Sequence, residues 1–142
     1  MRRTASAVWK GKLPAGSGTV STETNTLNNT PYSFQTRFEN EKTGTNPEEL
    51  LGAAHAGCFS MAFAFALQQA EFDPQEISTR AEVEVVNVPE GFEIPTVSLF
   101  VEATVPGISE EKFQEIATYA KENCPLSKVL KAEISMEATL KS

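Results

Sequence analysis

Several residue types are scarce in this chain of 142 residues, and their scarcity excludes whole classes of function. Two cysteines and one histidine cannot supply the four nitrogen and sulfur ligands of a structural zinc site, nor a disulfide-dense secreted scaffold. Lysine and arginine total 12 against 19 acidic residues, and the resulting net charge of -7 disfavours a nucleic-acid-binding face. We therefore expect no metal ion and no nucleic acid partner.

Apolar targeting segments are also missing from the start of the chain. Val8 and Trp9 are followed at once by lysines, so no signal peptide is predicted. Leu50–Leu67 carries no charge over eighteen residues and reaches the length of a membrane span. Its alanine and glycine content, its histidine and its acidic flanks instead favour a buried helix of a soluble protein. We expect a cytoplasmic protein with both thiols reduced and no membrane partner.

The hydrophobic pattern divides one predicted domain, residues 1–142, into three parts. Residues 1–45 are rich in Thr, Ser, Asn and Gly and hold three predicted strands: Thr4–Lys10, Gly18–Thr24 and Tyr32–Phe38. Residues 46–72 form a central helix, which Asn46 caps and Pro47 begins. Because its apolar cylinder is too large for one small chain to cover, the helix predicts a homodimer.

Residues 73–142 return to alternating patterns. They predict two strands, a helix, a helical turn and a last strand: Arg80–Val88, Thr96–Val105, Ser109 to about Glu122, Leu126–Leu130 and Ala132–Leu140. The order of elements over the whole chain is three strands, long helix, two strands, helix and strand. This order is typical of an α+β fold with mostly antiparallel sheet.

Cys58 and Cys124 are the candidates for redox chemistry. Cys58 lies in the middle of the apolar helix, where a free cysteine is often a small packing residue. Cys124 ends the second long helix, and Pro125 directs it away from helical geometry. The spacing of 66 residues excludes a CxxC motif, and it leaves open whether the two sulfurs meet.

A reactive Cys58 needs a cation, because it lies 12 residues past the helix cap and beyond the reach of the helix dipole. Arg37 is the candidate cation, on a predicted strand face opposite aromatic residues, and Glu48 is its candidate carboxylate. There is an alternative for each residue. Arg37 is then a solvated strand residue, and Glu48 only complements the dipole of the central helix. His55, three residues before Cys58, is either a buried histidine or half of a Cys–His pair.

Five segments together resemble one family: Gly18–Thr22, Thr36–Phe38, Asn46–Leu50, Gly52–Met61 and Cys124–Lys128. The chain is similar over nearly its whole length to the osmotically inducible protein C family, OsmC. Because it has an arginine in the Thr-Arg-Phe segment, the chain resembles the OsmC branch of the family. In the organic hydroperoxide resistance branch, the active-site arginine comes from an earlier segment. Leu126, where valine or isoleucine is common in the family, is a small departure.

The resemblance implies an intertwined homodimer in which mostly antiparallel sheets surround two long central helices. It implies a thiol peroxidase in which Cys58 is the peroxidatic thiolate and Cys124 resolves it. Arg37 then stabilises the thiolate, and Glu48 holds Arg37. Organic hydroperoxides are the expected substrates, ahead of hydrogen peroxide, and a thiol reductant resets the disulfide without any cofactor.

Two other functions remain open for the same chain. The first alternative is a non-enzymatic dimeric stress protein that binds an apolar ligand between its subunits, with Cys58 as a packing residue. The second alternative is a redox sensor that forms the same disulfide without useful turnover. Steady-state peroxide consumption with a dithiol donor separates the three functions.

Overall fold

The computed structural model describes residues 1–141, and the chain forms two compact units. One unit comprises residues 1–50, and the other begins at Leu51. The elements of the first unit are short and rich in turns, whereas those of the second contain the extended apolar core.

The first unit is built on an antiparallel sheet of three strands, β1 (Ala5–Lys10), β2 (Ser17–Thr22) and β3 (Thr30–Tyr32), in the order β1-β2-β3. The ring centroids of Trp9 and Tyr32 lie 5.5 Å apart across this sheet. Gly18 lies between them, and a Cβ at this position would fall 2.5 Å from a ring carbon of Tyr32. The close approach of the two rings therefore requires glycine at position 18.

The predicted third strand is wrong beyond Tyr32, because Phe34–Phe38 form a short helix, α1. The Ser33 hydroxyl accepts the backbone N–H of Thr36 at 3.1 Å, and the Thr36 hydroxyl accepts that of Ser33 at 2.8 Å. This reciprocal capping box starts the helix. The rings of Phe34 and Phe38, one turn apart, then contact each other at a tilt of 58°, and Arg37 lies in the last turn of a helix rather than on a strand.

The central helix α2 spans Pro47–Gln69 and begins as predicted. The side-chain oxygen of Asn46 accepts the backbone N–H of Glu49 at 2.7 Å. The helix ends before residue 72 because Glu71 adopts a left-handed φ of 69°. The N–H groups of Glu71 and Phe72 then donate to the carbonyls of Gln68 and Leu67, both at 2.9 Å, which closes the last turn.

The second unit contains a three-stranded sheet of β4 (Glu76–Val83), β7 (Thr96–Thr104) and β8 (Glu133–Lys141). β4 pairs with β7 in antiparallel orientation, whereas β8 pairs with β7 in parallel. A separate hairpin joins β5 (Val86–Val88) to β6 (Gly91–Glu93). The strand predicted from residue 80 to residue 88 is therefore wrong as one element: it begins earlier and is interrupted before the hairpin.

Two helices connect the parallel strands β7 and β8. α3 spans Glu110–Asn123, and its cap residue Ser109 accepts the backbone N–H of Lys112 at 3.1 Å. α4 spans Pro125–Val129 and follows α3 after a single residue, Cys124. A crossover of this length is what a parallel pair requires.

The core of the second unit lies where α2 and α3 pack with the sheet. Phe63 is fully buried between Phe59 and Phe113, with ring centroids 5.6 and 5.5 Å away. The fold is α+β with mostly antiparallel sheet, as the sequence predicts.

The other side of α2 carries apolar side chains that this chain leaves uncovered. Met61 is 77% exposed and Phe65 62% exposed. Within residues 1–141, α2 alone is long and apolar enough to cross a membrane, and 28% of its most apolar window is buried. The chain therefore covers one side of α2 and leaves the other exposed, as expected of a helix too apolar for one small chain to cover.

Candidate active site

The sulfur atoms of the two cysteines lie 3.1 Å apart, although 66 residues separate them in the sequence. Cys58 comes from the middle of α2, and Cys124 comes from the junction of α3 and α4. Both are free thiols. A disulfide has a sulfur–sulfur distance of about 2.05 Å. Bond formation therefore requires an approach of roughly 1 Å.

Cys124 is placed by the end of α3. Its backbone is extended, with φ of -61° and ψ of 129°, as expected of a residue before proline. Its N–H still donates to the carbonyl of Ala120 at 2.9 Å, so the residue remains tied to α3. Pro125 then starts α4. The thiol of Cys124 is fully buried, and its position beside Cys58 depends on the geometry of this junction.

Burial raises the pKa of the Cys58 thiol above its ordinary value. The neighbouring thiol of Cys124 raises the pKa further, mainly through the hydrogen bond between the two side chains and to a smaller extent through repulsion between negative sulfurs. The backbone N–H of Leu126 acts in the opposite direction. A thiol in these surroundings is mostly protonated at neutral pH, so a reactive Cys58 requires a positive charge from another group.

Arg37 and Glu48 form a bidentate ion pair in the first unit. Nε of Arg37 donates to the carboxylate oxygens of Glu48 at 2.8 and 3.2 Å, and Nη2 lies 2.7 Å from Oε1. Glu48 is 8% exposed, and the guanidinium of Arg37 lies 5.1 Å from the ring centre of Phe38. Within the part of the chain that the structure describes, Nη1 has no hydrogen-bond partner, so this group can bind a further acceptor.

His55 is fully buried on α2, and its Nε2 lies 2.9 Å from the hydroxyl of Ser127. Burial lowers the pKa of His55, so the ring is neutral at neutral pH and supplies no cation to Cys58. Its Nδ1 has no hydrogen-bond partner among residues 1–141. The contact that His55 makes is therefore with Ser127, which lies in the Cys124–Lys128 segment but is not among the candidate site residues.

Metal ligands are not grouped in this structure. Over the described residues, no cluster of three or more His, Cys, Asp or Glu side chains is placed to hold an ion.

Comparisons with known proteins show which family this sequence is similar to. Residues 39–139 match the family described as OsmC-like protein. The chain is 53% identical over 136 residues to "Peroxiredoxin OsmC" of Escherichia coli (strain K12), covering 96% of this chain and 94% of that protein. It is 36% identical over 98 residues to "Organic hydroperoxide resistance protein" of Xanthomonas axonopodis pv. citri, covering 68% and 67%.

The solved structures add a similar fold. The crystal structure of an OsmC-like protein from Mycoplasma pneumoniae superposes with a TM-score of 0.78, covering 100% of this chain and 99% of that one at 16% identity. At this identity the likeness extends to the fold alone.

Proposed function

The chain belongs to the OsmC-like protein family, and we propose that it is a cysteine-based peroxidase for organic hydroperoxides, and more weakly for hydrogen peroxide. The observation that carries this proposal is the 3.1 Å distance between the two reduced sulfur atoms. The names of two relatives, a peroxiredoxin and an organic hydroperoxide resistance protein, point to the same reaction. Phe and Met side chains of α2 near Cys58 in the sequence favour organic substrates.

The reaction proceeds in two steps. The thiolate of Cys58 attacks one peroxide oxygen, the O–O bond breaks, and the alkoxide leaves with a proton as an alcohol. Cys58 is now a sulfenic acid. Cys124 then attacks the sulfur of Cys58, an S–S bond replaces the S–O bond, and water leaves with the proton of Cys124. A thiol reductant restores both cysteines by exchange, and no cofactor takes part.

Arg37 is the proposed source of positive charge for Cys58, and Glu48 is its proposed anchor. The support is chemical: burial raises the pKa of Cys58, and the Arg37 guanidinium keeps Nη1 for a further acceptor while Glu48 binds Nε and Nη2. A guanidinium can also donate hydrogen bonds to a peroxide oxygen. The proposed site residues are thus Cys58, Cys124, Arg37 and Glu48.

The proposed assembly is an intertwined homodimer of a single-domain chain in the cytoplasm. The exposed apolar side of α2 supports it, because large uncovered apolar patches on soluble proteins mark interfaces. Sedimentation velocity at micromolar concentration should give twice the chain mass of 15.4 kDa. Phe65→Glu should shift the protein towards the monomer, since a charge would be buried at the interface. A wild-type monomer of 15.4 kDa would contradict the dimer.

Thiol counting tests the peroxidase proposal. One equivalent of cumene hydroperoxide per chain should reduce the number of titratable thiols from two to none and release one equivalent of alcohol. With excess hydroperoxide and dithiothreitol, the protein should consume peroxide over many turnovers. Disulfide formation without sustained consumption would indicate a redox sensor. Unchanged thiols would indicate a binding protein in which Cys58 only packs.

A further inference from the structure

A second hydrogen bond joins the segments that carry the two cysteines. His55 precedes Cys58 by three residues, and Ser127 follows Cys124 by three. The 2.9 Å bond between His55 Nε2 and the Ser127 hydroxyl therefore lies beside the contact of the sulfurs. We propose that His55 and Ser127 are positioning residues that keep Cys124 within reach of Cys58 while the sulfenic acid is resolved.

This inference rests on the proposed peroxidase function, because it concerns the step after Cys58 has been oxidised. The contact between the sulfurs changes at each stage: a thiol–thiol hydrogen bond, then an intervening oxygen, then a covalent bond. His55 and Ser127 keep the same covalent structure throughout. Their hydrogen bond is therefore a side-chain contact between α2 and α4 that can persist through all three states of Cys58.

Apart from the backbone N–H of Leu126, which acts on the thiol of Cys58, helix α4 has little else to fix it. It contains five residues, none of them buried, and its cap residue Cys124 makes no side-chain capping hydrogen bond. Leu126 and Leu130 pack only partly against the core. Helices this short are not stable by themselves, so their position depends on tertiary contacts. One polar contact consequently has a large influence on where α4, and with it Cys124, lies.

The polarity of His55 also argues for a specific role. The side chain is fully buried, and its Nδ1 has no partner in the described residues. An apolar side chain of similar size would fill the same space without an unsatisfied polar atom. Because burial lowers the pKa of His55, the ring is neutral and acts as a hydrogen-bonding group rather than as an acid or base.

The step that these residues assist is the second one of the proposed reaction. Sγ of Cys124 attacks Sγ of Cys58, the S–O bond of the sulfenic acid breaks, and the hydroxide leaves as water with the proton of Cys124. Cys124 is oxidised and the sulfur of Cys58 is reduced. The first step, attack on the peroxide, does not require Cys124 to be in place.

Ser127→Ala separates the two steps. The full-length protein, reduced beforehand, is mixed with one equivalent of cumene hydroperoxide and quenched in acid at intervals. Mass spectrometry then measures sulfenic acid, disulfide and sulfinic acid. Disulfide formation should slow by roughly three- to tenfold, the effect of one lost neutral hydrogen bond, while sulfenic acid forms at the wild-type rate. Excess hydroperoxide should convert more of the variant to sulfinic acid.

Three further variants decide whether positioning is the cause. Ser127→Thr keeps the hydroxyl, and His55→Gln keeps a hydrogen-bonding group near Nε2; both should retain most of the disulfide rate. Ser60→Ala is the matched control, because it removes from α2 a hydroxyl that bonds to Thr79 of β4 at 2.7 Å. Its disulfide rate should equal that of the wild type.

Two results would overturn the inference alone: a wild-type disulfide rate in Ser127→Ala, or an equal loss in Ser127→Ala and Ser60→Ala. The second result would mean that any lost hydroxyl loosens α2. A wild-type protein whose Cys58 is not oxidised at all would instead overturn the proposed function, and this inference with it.

Discussion

Cys58→Ser is expected to abolish enzymatic peroxide consumption. Only the background reaction of the dithiol with the peroxide should remain. A serine hydroxyl remains protonated at neutral pH, whereas the thiolate is the nucleophile in the proposed first step. No sulfenic acid can form at position 58, so Cys124 has nothing to resolve. The measurement is steady-state consumption of cumene hydroperoxide with dithiothreitol as the reductant. Normal turnover in this variant would contradict the role given to Cys58.

Cys124→Ser serves as the matched variant, because it alters the other half of the 3.1 Å sulfur pair. It should reduce about one peroxide per site and then accumulate the sulfenic acid or its sulfinic product. A trap for sulfenic acid should label Cys58 in this variant but not in the wild type. If both cysteine variants failed in the same way, the division into attacking and resolving thiols would be wrong.

Arg37→Ala is expected to lower the reactivity of Cys58 by about ten- to a hundredfold, the effect of losing a charge-assisted hydrogen bond to the thiolate. The pKa of Cys58 is already raised by burial, so the thiolate requires compensation. Without the guanidinium the pKa should rise further, and the lost alkylation rate should return only at higher pH. The measurement is the rate of iodoacetamide labelling of Cys58 as a function of pH. It compares the Cys124→Ser variant with the double variant that also carries Arg37→Ala.

Two companion variants test how Arg37 acts. Arg37→Lys should restore little activity, because an ammonium cannot bind the Glu48 carboxylate with two nitrogens and still present a third. Glu48→Gln should weaken activity less than Arg37→Ala, since the guanidinium stays but is held less firmly. An unchanged pH profile and labelling rate in Arg37→Ala would show that Arg37 does not act on Cys58 and only forms the ion pair with Glu48.

Elements with a long, regular pattern were predictable from the sequence. The capping residue Asn46 and the charge-free run after it predict α2, and the strict alternation of apolar residues predicts β8. Ser109 predicts the start of α3. In each case the local signal and the tertiary environment favour the same conformation, which makes the prediction robust.

Short elements were not predictable in the same way. Phe34 and Phe38 fit one face of a strand and one face of a helix equally well, and the capping box that decides for a helix has threonine at its third position. The hairpin β5–β6 is only three residues long on each side. In such elements tertiary contacts, rather than a repeating pattern, determine the conformation.

The sequence names candidate site residues, but it does not show which of them lie close together. The sequence separates Cys58 and Cys124 by 66 residues, and their contact depends on how α3 crosses back towards α2. Ser127 belongs to the Cys124–Lys128 segment, but the sequence does not pair it with His55. The positioning role proposed for it rests on the contact of its hydroxyl with His55, which only the structure contains.

The crossover from β7 to β8 has a consequence for synthesis of the protein. Cys58 is translated 66 residues before Cys124, which at 5 to 20 residues per second amounts to roughly 3 to 13 s. The junction that carries Cys124 lies between two strands, and β8, the second of them, is translated after it. During that interval the nascent chain contains Cys58, the proposed attacking thiol, without Cys124, its proposed resolving partner. In the proposed mechanism, a sulfenic acid formed on such a chain has no intramolecular thiol to condense with, so it is open to irreversible oxidation when peroxide is abundant.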